Sequence, residues 1–361
     1  LEGQSLRPDI RRLANDGSDG APVVVISFPG IGDFVRSHTA VQLIRERNPG
    51  RPIDMVGQSP ATEIASLMPG VRAGITEPFG GHSRLHFMRR IAFARTLRSQ
   101  GYHKAYVLSR SWKPAIAPFF AGIPERIGWW GEARFLVINR PRIFEYRNPR
   151  MVDQLAALAL DRGEKRPHEW PEPRIDIHPA KLADFRRSHN VPDDGRLIVA
   201  LAPGSTDTLK NWPIDRYAAL ARWLTRRGYT VWVLGAEFER PLAERLRALA
   251  GENVHVATAP SLLTSTYRLA AADIFIGNDS GLLHIAAALG KPSVGIYTFT
   301  DPFYAGPINR NVRFVLPPLR NVRQRDPAAH WPDMETVIEN VDAAVAEIGV
   351  AAANRRNQAL A

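Results

Sequence analysis

The stretch GNDSGLLHIAAALGKPSVGIY, residues 277–297, holds the join on which the fold turns. The apolar run ADIFI leads into it, and Asn278, Asp279, Ser280 and Gly281 interrupt that run. An Ala-rich segment of helical length follows, then Gly-Lys-Pro and a second apolar run, PSVGIY. A strand ending at Ile276 or Gly277, a helix over 281–289 and a further strand make a βαβ unit, which requires a parallel sheet. Asp279 or Ser280 can cap the free N–H groups of that helix, whose N-terminus carries partial positive charge. Such an end suits phosphate, and Gly281 allows an anion close to the backbone. His284 follows Ser280 by four residues, which places both on one face at the same end. An ordinary N-cap beside a core histidine accounts for the same residues, because caps are common.

The same alternation runs through the whole chain. PVVVISF (22–28) precedes a Gly turn and the helical pattern HTAVQLIRERNPG; PIDMVG, a basic amphipathic stretch and KAYVLS follow. The second half offers LIVALAPG, a helix over 215–227, TVWVLGA, a helix near 241–250, and then the stretch quoted above. In the helix after Pro213, Tyr217, Leu220, Ala221 and Leu224 recur at i, i+3, i+4 and i+7, and Gly228 is a fitting stop. Continuously apolar strands alternating with helices predict an α/β protein with two parallel sheets covered on both faces. The weakest patterning, RGEKRPHEWPEPR at 162–174, is the expected linker. Loops at the carboxyl ends of both sheets would then pool in one cleft.

Length and composition narrow the class. A chain of 361 residues exceeds the size at which one core keeps growing. The absence of cysteine excludes disulfides, thiolate metal sites and thiol nucleophiles, and suits a reducing compartment. No apolar run reaches the roughly 18 residues of a spanning helix. Residues 1–20 lack the apolar middle of a signal peptide and read as a flexible tail or a remnant of expression. These features predict a soluble, cytoplasmic protein. The net charge of +11 sits entirely within residues 80–150, which carry 14 Lys or Arg against three acids. That excess points to an anionic partner, although a solvated basic face gives the same count.

Four further segments carry chemistry. APGSTDTLKNWP (202–213) presents Gly204, Ser205 and Thr206 as phosphate donors and Lys210 as a point charge, without the spacing of a P-loop; a surface turn is the competing reading. VLGAEFE ends a strand with Glu237 at its mouth, suited to ribose hydroxyls or to a helix dipole. SFPGIGDF places Asp33 after a Gly-x-Gly turn, where a carboxylate repels a dinucleotide but can take a proton from a hydroxyl, or cap a helix. Residues 108–135 interleave Arg110, Lys113, Arg126 and Arg134 with Trp112, Trp129 and Trp130, which suits an acidic glycan, single-stranded nucleic acid or a basic surface over buried rings. No recognised nucleic-acid module accompanies them. There is no His-Glu-x-x-His, Asp-x-Asp or Gly-x-Ser-x-Gly, and His82 with His86 reads as a loop, so the site is expected to work without a metal.

Taken together, GNDSGLLHIAAALGKP, KNWP, GAEFE and GIGD resemble the bacterial lipopolysaccharide heptosyltransferases, glycosyltransferases that use ADP-heptose. The run YVLSRSWKPAIAPFFAGIPERIGWWGEAR resembles the branch acting second in the inner core. The resemblance extends over about 23–317. It implies a GT-B fold, with two Rossmann-like domains facing a central cleft: 21–170 for the acceptor, 171–330 for the ADP-sugar, and a helix within 331–361 crossing back to the first domain before a tail. It further implies Asp33 as the general base of an inverting transfer. Gly204, Ser205, Thr206, Lys210, Ser280 and Gly281 would hold the diphosphate, Glu237 the ribose, and Asp279 and His284 the sugar end. Arg110, Ser111, Lys113, Arg126 and Arg134 would bind the anionic lipopolysaccharide core, in peripheral contact with the inner membrane's cytoplasmic face and without nucleic acid. No cofactor is implied. A transferase using another nucleotide sugar, or a non-catalytic binder of acidic glycan or nucleic acid, are the alternatives.

Overall fold

The computed structural model describes residues 20–79, 86–131, 134–143, 150–161, 163–318 and 331–360, with residues 350–360 as backbone alone. The tail expected over 1–20 lies outside these except for Gly20.

Among the described residues, twelve strands form two sheets. The first contains β1 (Val23–Ile26), β2 (Ile53–Gly57), β3 (Ala73–Thr76), β4 (Lys104–Val107), β5 (Glu125–Trp129) and β6 (Arg140–Arg142). The second contains β7 (Ile198–Ala202), β8 (Thr230–Ala236), β9 (Val254–Ala259), β10 (Ile274–Asn278), β11 (Ser293–Ile296) and β12 (Val312–Val315). Every pairing is parallel. The orders β3-β2-β1-β4-β5-β6 and β12-β11-β10-β7-β8-β9 are the same Rossmann order, the second written from its other edge. This is the expected GT-B architecture. The switch points lie between β1 and β4 and between β7 and β10, where neighbouring crossovers leave the sheet in opposite directions and open a crevice.

Burial follows the apolar runs. Val23, Val25 and Met55 of the first sheet share a continuous core with Ala200 and Phe275 of the second and with Leu283 of the helix Gly281–Ala288. Val24, Ala105 and Val107 face a separate layer under helix Phe87–Ser99. The helices of the second half form Ile214–Arg226, Arg240–Ala250 and Gly281–Ala288. Helix Met334–Leu360 packs on the second sheet over its described side chains. Val337, Val341 and Ala344 recur at i, i+4 and i+7 and are buried against the second core, each valine contributing roughly 1.5–3 kcal/mol.

The linker is tied at both ends rather than loose. Thr39 Oγ1 donates to the Pro171 carbonyl at 2.9 Å and Gln42 Nε2 to that of Glu172 at 2.9 Å. The Ile175 N–H reaches the Ala288 carbonyl at 2.9 Å, and Trp170 Nε1 donates to the buried Asp153 at 2.8 Å. The strap therefore bonds to helices of both domains.

Candidate functional site

Loops from the carboxyl ends of β1, β7, β8, β9 and β10 converge on a cavity of about 690 Å³, within the range of small-molecule sites. Asp33, Gly204, Ser205, Thr206, Lys210, Glu237, Asp279, Ser280, Gly281 and His284 all line it. These sequence-derived residues come from segments up to 251 positions apart in the chain (33 to 284). Arg36, Glu63 and Glu239 also line it, and sequence reasoning gave them no role.

Asn278 organises the second-domain side. Fully buried at the end of β10, it accepts from Trp212 N at 3.1 Å and from the Tyr217 hydroxyl at 2.9 Å, and donates to the Pro203 carbonyl at 2.7 Å. One amide thus joins the loop after β7 to the start of helix Gly281–Ala288. Ser280 is the N-cap by position, but its side chain makes no capping bond, and its buried Oγ has no hydrogen-bond partner. The capping expected of Asp279 or Ser280 does not occur, because Asp279 turns elsewhere. Its Oδ2 accepts from Lys210 Nζ at 2.7 Å and from Thr300 Oγ1 at 2.8 Å. Helix-end amides left uncapped beside a lysine form a site for an anion.

Two glutamates stand at the end of β8. Glu237 pairs with Arg240 at 2.5 Å and accepts from Thr258 Oγ1 at 3.2 Å; the arginine bond holds its carboxyl below the usual range. Glu239 accepts from Ala236 N at 2.8 Å and lies against Gly204, where any β-carbon would collide with its carboxylate. Three residues on from Ala236, it makes the backbone half of a capping box, without the Ser or Thr at the first position that would mark one in the sequence.

On the first-domain side, Gly30, at φ 99°, opens the short helix Ile31–Arg36. A β-carbon on Gly32 would stand 2.7 Å from His284 Cδ2, and one on Gly281 would stand 2.6 Å from Ile31 Cβ. Two glycines, one per domain, let the two helix starts meet. Arg36 crosses the seam: Nη1 pairs with Asp33 Oδ1 at 2.5 Å, while Nη2 lies 3.3 Å from His284 Nε2 and donates to the Ala305 carbonyl. A guanidinium only donates, so His284 accepts at Nε2 and carries its proton on Nδ1. Burial, reinforced by the charges of Arg36 and Lys210, pushes His284 well below the ordinary imidazole value. It is a neutral acceptor.

None of Arg110, Ser111, Lys113, Arg126 and Arg134 lines this cavity. Arg110 is exposed after β4, with Ser111 and Lys113 half-buried beside it. Arg126 donates to the carbonyls of Val137 (2.8 Å) and Ile123 (2.6 Å) and lies over the Phe119 ring. Arg134 is buried, with Nη1 donating to the Arg110 carbonyl at 2.9 Å. Both guanidiniums brace backbone. His82 lies outside the described residues. Among the described residues, no group of three or more His, Asp or Glu side chains is placed to hold a metal ion, and no helix is long and apolar enough to cross a membrane.

Known proteins share this fold. The profile of glycosyltransferase family 9 (heptosyltransferase) matches residues 90–331. The lipopolysaccharide heptosyltransferase 2 of Salmonella typhimurium is 30% identical over 352 residues, 91% of this chain and 99% of that protein. Its namesake from Escherichia coli K12 is 32% identical over 307 residues, 81% of this chain and 87% of that one. The solved E. coli ADP-heptose heptosyltransferase II superposes with a TM-score of 0.79 at 26% identity, over 91% of this chain and 99% of that chain. The chain belongs to glycosyltransferase family 9, the heptosyltransferases.

Proposed function

We propose that this heptosyltransferase moves a heptose from ADP-heptose to the inner core of lipopolysaccharide, with Asp33 as general base in a single inverting displacement. The observation carrying this reading is that Asp33 and the uncapped start of helix Gly281–Ala288 line one cavity, each from a different domain. The acceptor hydroxyl gives its proton to Asp33 as its oxygen bonds to the anomeric carbon. The bond from that carbon to the diphosphate breaks on the opposite face, and ADP leaves with the electron pair. Helix N–H groups and Lys210 stabilise the charge growing on ADP, a task this reading gives to no divalent ion. Glu239, beside Gly204, is better placed than the Arg240-paired Glu237 to accept ribose hydroxyls. A relative, E. coli heptosyltransferase WaaC, has been solved with ADP.

The acceptor side of the reading rests on charge. Between Glu77 and Glu125 the chain has no acid, and the exposed Phe87, Met88, Phe119 and Phe120 gather there among Arg89, Arg95 and Arg98. Such a surface suits peripheral contact with anionic lipid near a glycolipid acceptor. The deciding experiment supplies a heptose-deficient core acceptor with ADP-heptose, or with UDP- and GDP-sugars, in EDTA. A product heavier by one heptose, formed only with ADP-heptose, is expected. Turnover of another nucleotide sugar in preference overturns the donor assignment, and loss of turnover in EDTA overturns the metal-free one.

A further inference from the structure

We infer that Arg36 is the positioning residue that readies the Asp33 carboxylate for proton acceptance when the two domains are closed on each other. The inference rests on the proposed role of Asp33 and adds a residue to it. Arg36 belongs to the first domain and is only 4% exposed, yet Nη2 finds both of its partners in the second: His284 Nε2 and the Ala305 carbonyl. Nη1 holds Asp33 Oδ1, and Nε has no hydrogen-bond partner. Opening the cleft would strip Nη2 of both acceptors and free the guanidinium to move, taking its hold on Asp33 with it. In the closed seam, kept tight by Gly32 and Gly281, the guanidinium is fixed against the carboxylate.

A cation within hydrogen-bond distance favours an ionised carboxylate, the form that a base requires. The other charges and titratable groups around this pair come from every element of the cleft. Lys210, Asp279 and neutral His284 face it from the second domain and Glu63 from the first, and Tyr297 feels the charges of Asp279, Arg36 and Asp301. Lys210 is occupied by Asp279 at 2.7 Å, and Arg36 is bonded to Asp33. The arrangement couples closure to base readiness: a donor-free, open cleft holds a base without its fixed cation.

Arg36→Met and Arg36→Gln, which remove the charge, and Arg36→Lys, which keeps it, test this through the pH profile of kcat and the affinity for ADP. In both neutral variants kcat falls about ten- to a hundredfold at neutral pH, and the acid limb moves up by about one unit or more. ADP affinity stays within about threefold, and Arg36→Lys returns the limb toward its wild-type position. If Arg36→Met does not fold, Arg36→Gln carries the same measurement, since it retains a donor for Ala305. An acid limb unmoved in the folded neutral variants overturns the proposal. Asp33→Asn separates the two ideas: turnover retained there removes the base assignment and this inference together. An inactive Asp33→Asn beside unchanged Arg36 variants removes this inference alone.

Discussion

His284 packs edge-on against Gly32 across the domain seam, so closely that one added methyl group would lie 2.7 Å from its Cδ2. The imidazole cannot easily yield, because it is buried and its Nε2 faces Arg36. Gly32→Ala is therefore expected to push the domains apart by a few tenths of an ångström at the base. The folded protein should lose about 1–3 kcal/mol in denaturant unfolding. Heptose transfer should fall at least about tenfold, since small misplacements of reacting groups are costly. Wild-type transfer by a folded Gly32→Ala protein would mean that catalysis does not use this closed seam.

Lys210→Ala does two things at once. It removes a cation from the anion site and leaves Asp279, whose side chain is 7% exposed, without its ion partner. An uncovered carboxylate next to the expected phosphates repels them. Calorimetry should show ADP affinity lowered by roughly ten- to a hundredfold, or about 1.4–2.7 kcal/mol. Adding Asp279→Asn to Lys210→Ala should recover part of that loss, because the repulsion goes with the carboxylate. Unaltered ADP affinity in the single variant takes Lys210 out of the phosphate site.

Two buried histidines make the fold acid-sensitive above the carboxylate range. Burial lowers His284, and burial also lowers His38, whose Nδ1 accepts from Arg174 N at 3.0 Å while Nε2 meets the Pro69 carbonyl at 2.8 Å. Each is neutral when folded and takes up a proton near pH 6.5 when unfolded. Their contribution is thus complete above 6.5 and is lost as the pH falls from there toward their depressed folded values. Unfolding free energy should drop as the pH falls from about 6.5 to 5.5, by up to about 1.4 kcal/mol per pH unit for each imidazole. His38→Gln should flatten that slope; a stability independent of pH over this window contradicts the buried neutral assignment.

What could be read from the sequence, and what could not, follows burial and locality. The strands at both switch points, β1, β4, β7 and β10, are continuous apolar runs, and their helices carry clear periodicity. Further out, β3 (AGIT), β6 (RPR) and β12 (VRFV) are short, half-exposed and hard to tell from loops, because an edge strand is stabilised by its neighbour more than by its own side chains. The cavity residues lay at strand ends, where turn chemistry marks them locally. Arg36 was missed because its partners, His284 and Ala305, are more than 240 positions away in the chain. The burial of Arg134 was not legible for the same reason: charge and spacing do not reveal that a guanidinium folds inward onto a carbonyl.

The exposed surface of helix Phe87–Ser99 carries the last prediction. Its buried face is Arg90, Phe93, Ala94 and Leu97, while Met88 is 74% exposed among Arg89, Arg95 and Arg98, which are also exposed. Phe87 meets Phe120 edge-on at 5.9 Å, and Phe120 meets Phe119 at 5.2 Å, so the apolar groups form one cluster rather than scattered residues. Each basic residue near an anionic surface contributes about 1 kcal/mol, and the contribution falls with salt. The protein should therefore sediment with phosphatidylglycerol vesicles at low salt and release progressively as salt rises, with little binding to phosphatidylcholine. Met88→Ser with Phe120→Ser should weaken binding at all salt concentrations, because apolar insertion is not screened. Arg95→Glu should weaken it mainly at low salt. None of the three residues lines the cavity, so ADP affinity is to remain that of the wild type in both variants. Equal binding to neutral and anionic vesicles, or none to either, would leave the basic excess of the first domain to the soluble part of the acceptor alone.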